Sequence, residues 1–142
     1  MQPQARSIAA GAAAALVWAL QEPLDRRLLR CDYSDVALLG KAITRGRRWR
    51  PAGLAVHTSN GAVFGIVFDA VRRRTTADPR KLALAMALGE HLTLYPLCYL
   101  IDRHHPRRGE PGIPPLFTNA RAFLQATWRH ALFGFVLGRL AS

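Results

Sequence analysis

Residues 82–101 read LALAMALGEHLTLYPLCYLI, with Arg80 and Lys81 before them and Asp102 and Arg103 after. A helix needs roughly 20 mostly apolar residues to cross the hydrocarbon core of a bilayer. This run has that length and carries Glu90 and His91 at its centre. Three further apolar stretches follow the same plan: 8–23, 54–71 and 122–141, each bounded by arginine-rich sequence. The pattern predicts an all-α protein, a four-helix transmembrane bundle forming one integral membrane domain over 1–142. The first connection is long and basic and the third is Pro-rich, with Pro106, Pro111, Pro114 and Pro115.

The chain carries 20 Lys and Arg against 9 Asp and Glu, a net charge of +11, in 142 residues of which half are hydrophobic. In a soluble protein such a balance would point to nucleic acid. Here the charges fall in blocks between apolar runs, as in a small multi-pass protein with basic loops. Nucleic acid is therefore not expected as a partner, and a soluble basic helical protein is the alternative to exclude. Arg45, Arg47, Arg48, Trp49 and Arg50 adjoin the second apolar stretch and are expected to meet anionic lipid headgroups. Within that first connection Ser34 suits the N-cap of a short helix, 34–43, whose Val36, Leu39 and Ile43 share a face that could lie along the headgroups. An alternative reading makes the first stretch a secretory signal peptide. Cys31 and Cys98 form neither a disulfide framework nor a zinc pattern.

Helices that alternate in direction place the first and third connections on one side of the membrane. That side carries twelve Lys and Arg, and the side with both termini and the 72–81 hairpin carries seven. The positive-inside rule then makes the first side cytoplasmic. Small residues at four-residue spacing recur on each helix: Gly11 and Ala15, Gly61 and Gly65, Ala85 and Gly89, Gly134 and Gly138. Such stripes allow helices to approach closely in lipid, within one chain or in a homo-oligomer.

Charged groups at membrane depth cost on the order of 3 kcal/mol each and should face one another or water. The candidates for a polar cluster or ligand site are Glu22, His57, Asn60, Glu90, His91, Tyr95, Gln125, Arg129 and His130. Most lie in the half of the bundle nearer the first and third connections. Counting helical rise brings Arg129 within reach of Glu90, so these two, or Glu22 and Arg129, are expected to pair. Pro96 cannot donate to the carbonyl of Leu92 and should interrupt its helix. His91 and His130 near mid-membrane also permit haem ligation. No nucleophile elbow, P-loop or HExxH motif appears. Neither a catalytic residue, a metal nor a cofactor is assigned.

The succession WALQEPL, a long loop, GAVFGIVFDAV, GEHLTLYPL, a Pro-rich loop and RHALFGFVLGRL resembles the small four-helix bacterial inner-membrane proteins of the YagU type and related domains of unknown function. The resemblance spans most of the chain. It implies residence in an inner membrane and carries over no activity, cofactor or catalytic residue; Glu22, His91 and His130 match positions in its pattern. The expected role is a non-enzymatic structural or interaction module with a buried polar cluster. A small-solute or proton pathway is the first alternative, and a membrane-embedded haem protein or enzyme the second.

Overall fold

The computed structural model describes residues 2–142, which form helices and no β-strand. The helices are α1 (Pro3–Leu28), α2 (Asp35–Ile43), α3 (Trp49–Arg72), α4 (Pro79–Leu94), α5 (Cys98–His104) and α6 (Ala120–Ala141), with a 3-10 turn at Tyr95–Leu97 between α4 and α5. Three helical stretches are long and apolar enough to cross a membrane: Pro3–Leu28, Trp49–Arg72 and Pro79–His104. α6 has the length but not the composition, because Gln125, Trp128, Arg129 and His130 interrupt it. It lies between α1 and α4, and α1 lies between α6 and α3; Gln125 and Arg129 are fully buried there, while Trp128 is exposed.

All four apolar stretches extend beyond their expected ends. α1 continues through Pro23 for another turn and a half rather than stopping there. Pro23 removes one backbone donor, but the following turn is held by the Asp25 side chain, which is bonded to α6. Arg30, in the left-handed region at φ 49°, then reverses the chain, and the Cys31 N–H closes on the Arg26 carbonyl. α3 begins at Trp49, with Pro51 in its first turn where a missing N–H costs nothing. Pro96 interrupts the third long stretch as expected, at the 3-10 turn.

The glycine stripes set the helix spacing. A Cβ on Gly65 would lie 2.2 Å from the Ser7 carbonyl oxygen, and one on Gly11 would lie 2.1 Å from that of Gly61, so α1 and α3 touch backbone to backbone. Gly134 and Gly138 receive α4 in the same way, at Leu84 and Arg80. Gly40 and Gly53 bring α2 onto α3: their Cβ positions would fall 1.9 Å from the Trp49 carbonyl oxygen and 2.0 Å from that of Val36. Three of the four stripes are thus occupied within one chain. Gly89 is the exception and faces open space.

The core between the helices is built from Ala10, Ala14, Trp18, Phe68, Ala83, Ala87, Phe133 and Leu137. At the end holding both termini, the buried Asp69 accepts from Arg72 at 3.0 Å, and Arg72 also donates to the Ala141 carbonyl at 3.0 Å. A Gly65→Ala substitution should destabilise the protein by ~1–3 kcal/mol, the usual cost of overpacking. Gly89→Ala should be neutral or stabilising by up to about 1 kcal/mol, since alanine is the better helix former where nothing is displaced. Thermal melting in detergent measures both, and equal effects would refute this account of the packing.

Candidate functional site

Arg129 is completely buried in the middle of the bundle. Its Nε and Nη2 donate to the two carboxylate oxygens of Asp25 at 2.6 and 2.7 Å, a bidentate pair. Nη1 donates to Asp35 Oδ2 at 2.8 Å and lies 3.6 Å from Glu22, while Nη2 also donates to the Tyr33 carbonyl at 3.0 Å. One guanidinium therefore ties α6 to α1, to the start of α2 and to the strand-like segment between them. The ring of Tyr33 completes the enclosure, 5.1 Å from the guanidinium carbon.

Each carboxylate has further donors. Gln21 and Gln125 both donate to Asp25 at 2.6 Å. Glu22 accepts from the Ser34 hydroxyl at 2.6 Å and from the Asp35 N–H at 2.9 Å, which sets a negative charge at the N-terminus of α2. Ser34 simultaneously caps α2, accepting from the Ala37 N–H as the sequence predicts. Asp35 accepts from Trp18 Nε1 at 2.9 Å and from the Tyr33 hydroxyl at 2.5 Å. Burial opposes ionisation of Asp35, but the Arg129 guanidinium and the Tyr33 hydrogen bond outweigh it and hold the carboxyl below its ordinary value. Burial and then the Asp35 charge push the Tyr33 hydroxyl well above its ordinary value, so it remains a donor.

The expected pair of Glu90 with Arg129 does not form. Every Arg129 nitrogen is engaged by Glu22, Asp25, Asp35 and Tyr33. Glu90 lies at an exposed edge of α4, and the group beside it is the His130 imidazole, at 3.9 Å. Helical rise measures only distance along each helix, and the azimuths of the two residues keep them apart. Glu22 does join Arg129, as the second expected pairing has it. Asp25, Asp35 and Tyr33 are absent from the sequence-derived candidates. Gln21 and Asp25 one turn apart were a readable sign of a polar face at the end of α1.

The remaining candidates divide into four groups. His57, Asn60, Glu90 and His130 line a cavity of about 210 Å³ with Trp18 and Phe133 as its aromatic walls. His91 is buried, and its Nε2 lies 2.9 Å from the Thr127 hydroxyl; that hydroxyl donates onward to the Phe123 carbonyl, so His91 is the donor and is spent on joining α4 to α6. Tyr95 donates to the carbonyls of Leu116 and Phe117 at 3.1 and 2.8 Å, and Asp102 accepts from the N–H groups of the same two residues. Tyr95 thus fixes the entry to α6. Gln125 belongs to the arginine cluster, as described.

The two connections on this side are built together. Lys41 donates to the Pro111 carbonyl at 2.8 Å and lies 3.2 Å from Glu110. His105 bonds the Leu38 carbonyl at 2.9 Å, and the Ser34 N–H and Asp32 carboxylate take the two backbone groups of Gly112. Gly112 sits at φ 88° with Ala37 pressed against it, which only glycine tolerates. α2 is held down on α3 and under the Pro-rich loop, leaving Ile43 exposed; it does not present Val36, Leu39 and Ile43 as one free face. Arg45, Arg47, Arg48 and Arg50 project outward, while Trp49 is half-buried between Lys41 and Arg50, each 5.2 Å from its ring. Among the described residues no group of three or more His, Cys, Asp and Glu is arranged to hold a metal.

Arg129→Met leaves three carboxylates buried against one another and should cost about 3–5 kcal/mol; Arg129→Lys, which cannot span the three partners, should fall between that variant and the parent. Denaturation in detergent measures both. Asp35 contributes its stabilisation fully above about pH 4, and loses it as pH falls through its depressed folded value. Asp35→Asn should therefore melt lower than the parent at pH 7 and show a shallower loss of melting temperature below pH 4.

No protein-family model matches the chain, and no curated protein or solved structure matches it significantly.

Proposed function

We propose that the chain is a multi-pass inner-membrane protein whose role is structural or interactive rather than catalytic. α1, α3, the α4–α5 unit and α6 are its four spans, of the YagU type. The observation that carries this reading is the enclosed Arg129: a guanidinium with no exposed surface, four hydrogen bonds and Glu22 at 3.6 Å holds helices together and is not available to a substrate. α6 crosses as the fourth span because α1 and α4 flank it and its charge is neutralised internally, which removes the cost of exposing it to lipid. The outward faces support a lipid surround, with Leu20, Leu24, Leu28, Leu92 and Phe135 all well exposed. The exposed arginines 45, 47, 48 and 50 sit where anionic headgroups would meet them. A homo-oligomer, if formed, would use the open Ala85–Gly89 stripe, since the other stripes are filled.

The cavity beside His57 and Glu90 favours a second reading, a solute or proton path. Its continuation toward the termini is packed with Phe64, Phe133, Phe68 and Leu137, so it supports a dead-end pocket better than a passage.

Single cysteines replacing Arg47, Thr76 and Arg108, in a Cys31→Ser/Cys98→Ser background, test the topology in membrane vesicles. Positions 47 and 108 should react with an impermeant maleimide from the same side, and 76 from the other. Reaction of all three from one side, or release of the protein by alkaline carbonate, would sink the four-span reading.

A further inference from the structure

Three of the polar residues lining the 210 Å³ cavity, His57, Glu90 and His130, are left incomplete by the fold. His130 Nδ1 lies 2.7 Å from the Ala126 carbonyl oxygen. A carbonyl only accepts, so Nδ1 carries the proton, and in the neutral ring that leaves Nε2 with a lone pair. That lone pair faces the Glu90 carboxylate at 3.9 Å. Two acceptors thus oppose each other across a gap too long for a hydrogen bond. His57 is more than nine-tenths buried and its Nε2 has no hydrogen-bond partner. No Lys or Arg lines the cavity to answer Glu90.

The surroundings add a preference of sign. Asp35 forms part of the wall and belongs to the Arg129 cluster, where three carboxyl groups meet one guanidinium. Trp18, Phe64 and Phe133 provide ring surfaces, and the Trp18 ring lies edge-on to both imidazoles at centroid distances of 5.1 and 4.7 Å. Aromatic faces attract a cation most strongly where water is scarce. At ~30 Å³ per molecule the space would hold about seven waters, enough for a small organic ligand. The mouth lies between α3 and α4, where Asn60 and Glu90 are both exposed at the rim.

We propose that this cavity binds a small organic ammonium ion, whose N–H groups bridge Glu90 and His130 Nε2 while its carbon skeleton lies against Trp18 and Phe133. The ligand supplies the donors that the fold omits. An anion finds no complementary charge there, and a bare metal ion finds too few ligands.

The test uses the full chain in lipid nanodiscs with Trp49→Phe and Trp128→Phe, so that Trp18 alone reports. Phenethylammonium and n-butylammonium chloride are titrated beside potassium chloride and sodium benzoate. At least one of the two ammonium probes should give a saturable change in fluorescence, and neither salt control should. Glu90→Gln, at an exposed edge with no close bond to lose, should weaken the response at least tenfold at an unchanged melting temperature. Glu90→Ala serves in the same way if the glutamine variant melts lower. The proposal is overturned if neither ammonium ion gives a saturable response in the folded protein, if potassium or benzoate matches it, or if folded Glu90 variants respond like the parent.

Discussion

A guanidinium cannot shed its charge inside a protein, so burying Arg129 completely obliges the chain to bring counter-charge to it. Much of the architecture follows from that obligation. α1 has to run past Pro23 to deliver Asp25. The chain then has to turn back, with Arg30 in the left-handed region, to bring the Tyr33 carbonyl and Asp35 to the remaining nitrogens. α2 starts where it does because Ser34 and the Asp35 N–H are both held by Glu22. Removing the arginine would leave Asp35 without its counter-charge at the start of α2, even though Glu22 would still hold Ser34 and the Asp35 N–H, and Gly40 and Gly53 would still allow close contact with α3.

What the sequence made legible was local in origin. Apolar length marks the long helices, Ser34 marks a cap and Pro96 marks a break, because each depends on residues a few positions away. Glycine spacing marked the close approaches, though not which helix would fill which stripe; nothing in Gly61 and Gly65 names Ser7 and Gly11. The pairing of Arg129 was not legible, since linear depth along a helix says nothing of rotation about the bundle axis. Asp25 and Asp35 escaped notice for a related reason. Asp25 lies just past the end of an apolar run and Asp35 within the first connection, where carboxylates look solvated, and only the folding back of that connection encloses them. The excess of basic residues was informative about surroundings but not about structure. Lys41 and Arg129 are its buried members, while Arg45, Arg47, Arg48 and Arg50 remain outward.

The Pro-rich connection is a working part of the fold rather than a spacer. Tyr95 and Asp102, on either side of the Pro96 break, both hold the backbone at Leu116 and Phe117. The break therefore turns α5 toward the segment that launches α6, and α6 carries Arg129. Lys41 and His105 close the circuit by fastening the same loop to α2. Arrangements of this kind make the two connections and the arginine cluster a single cooperative unit, because loosening any one member leaves buried polar groups of the others unpaired.

The polar groups within the bundle are not all of one kind. Around Arg129 the donors and acceptors are matched nearly atom for atom, the Gln125 carbonyl oxygen being an unpaired exception. A few ångströms away, across Asp35 and Trp18, the matching stops: Glu90, His130 and His57 all present acceptors or unpartnered nitrogens to an open space. Simple imperfection of packing does not account for the contrast, since the residues forming the wall behind them, Trp18, Phe133 and Ala15, are themselves tightly buried. Unpaired polar groups in a cavity carry a desolvation cost that apolar residues of similar size would avoid. A chain under pressure only to hold four helices together would gain by filling this space with leucine. That it instead sets two imidazoles and a carboxylate around the space is the strongest physical reason to regard the matched half of the cluster as scaffold and the unmatched half as the part that meets something else.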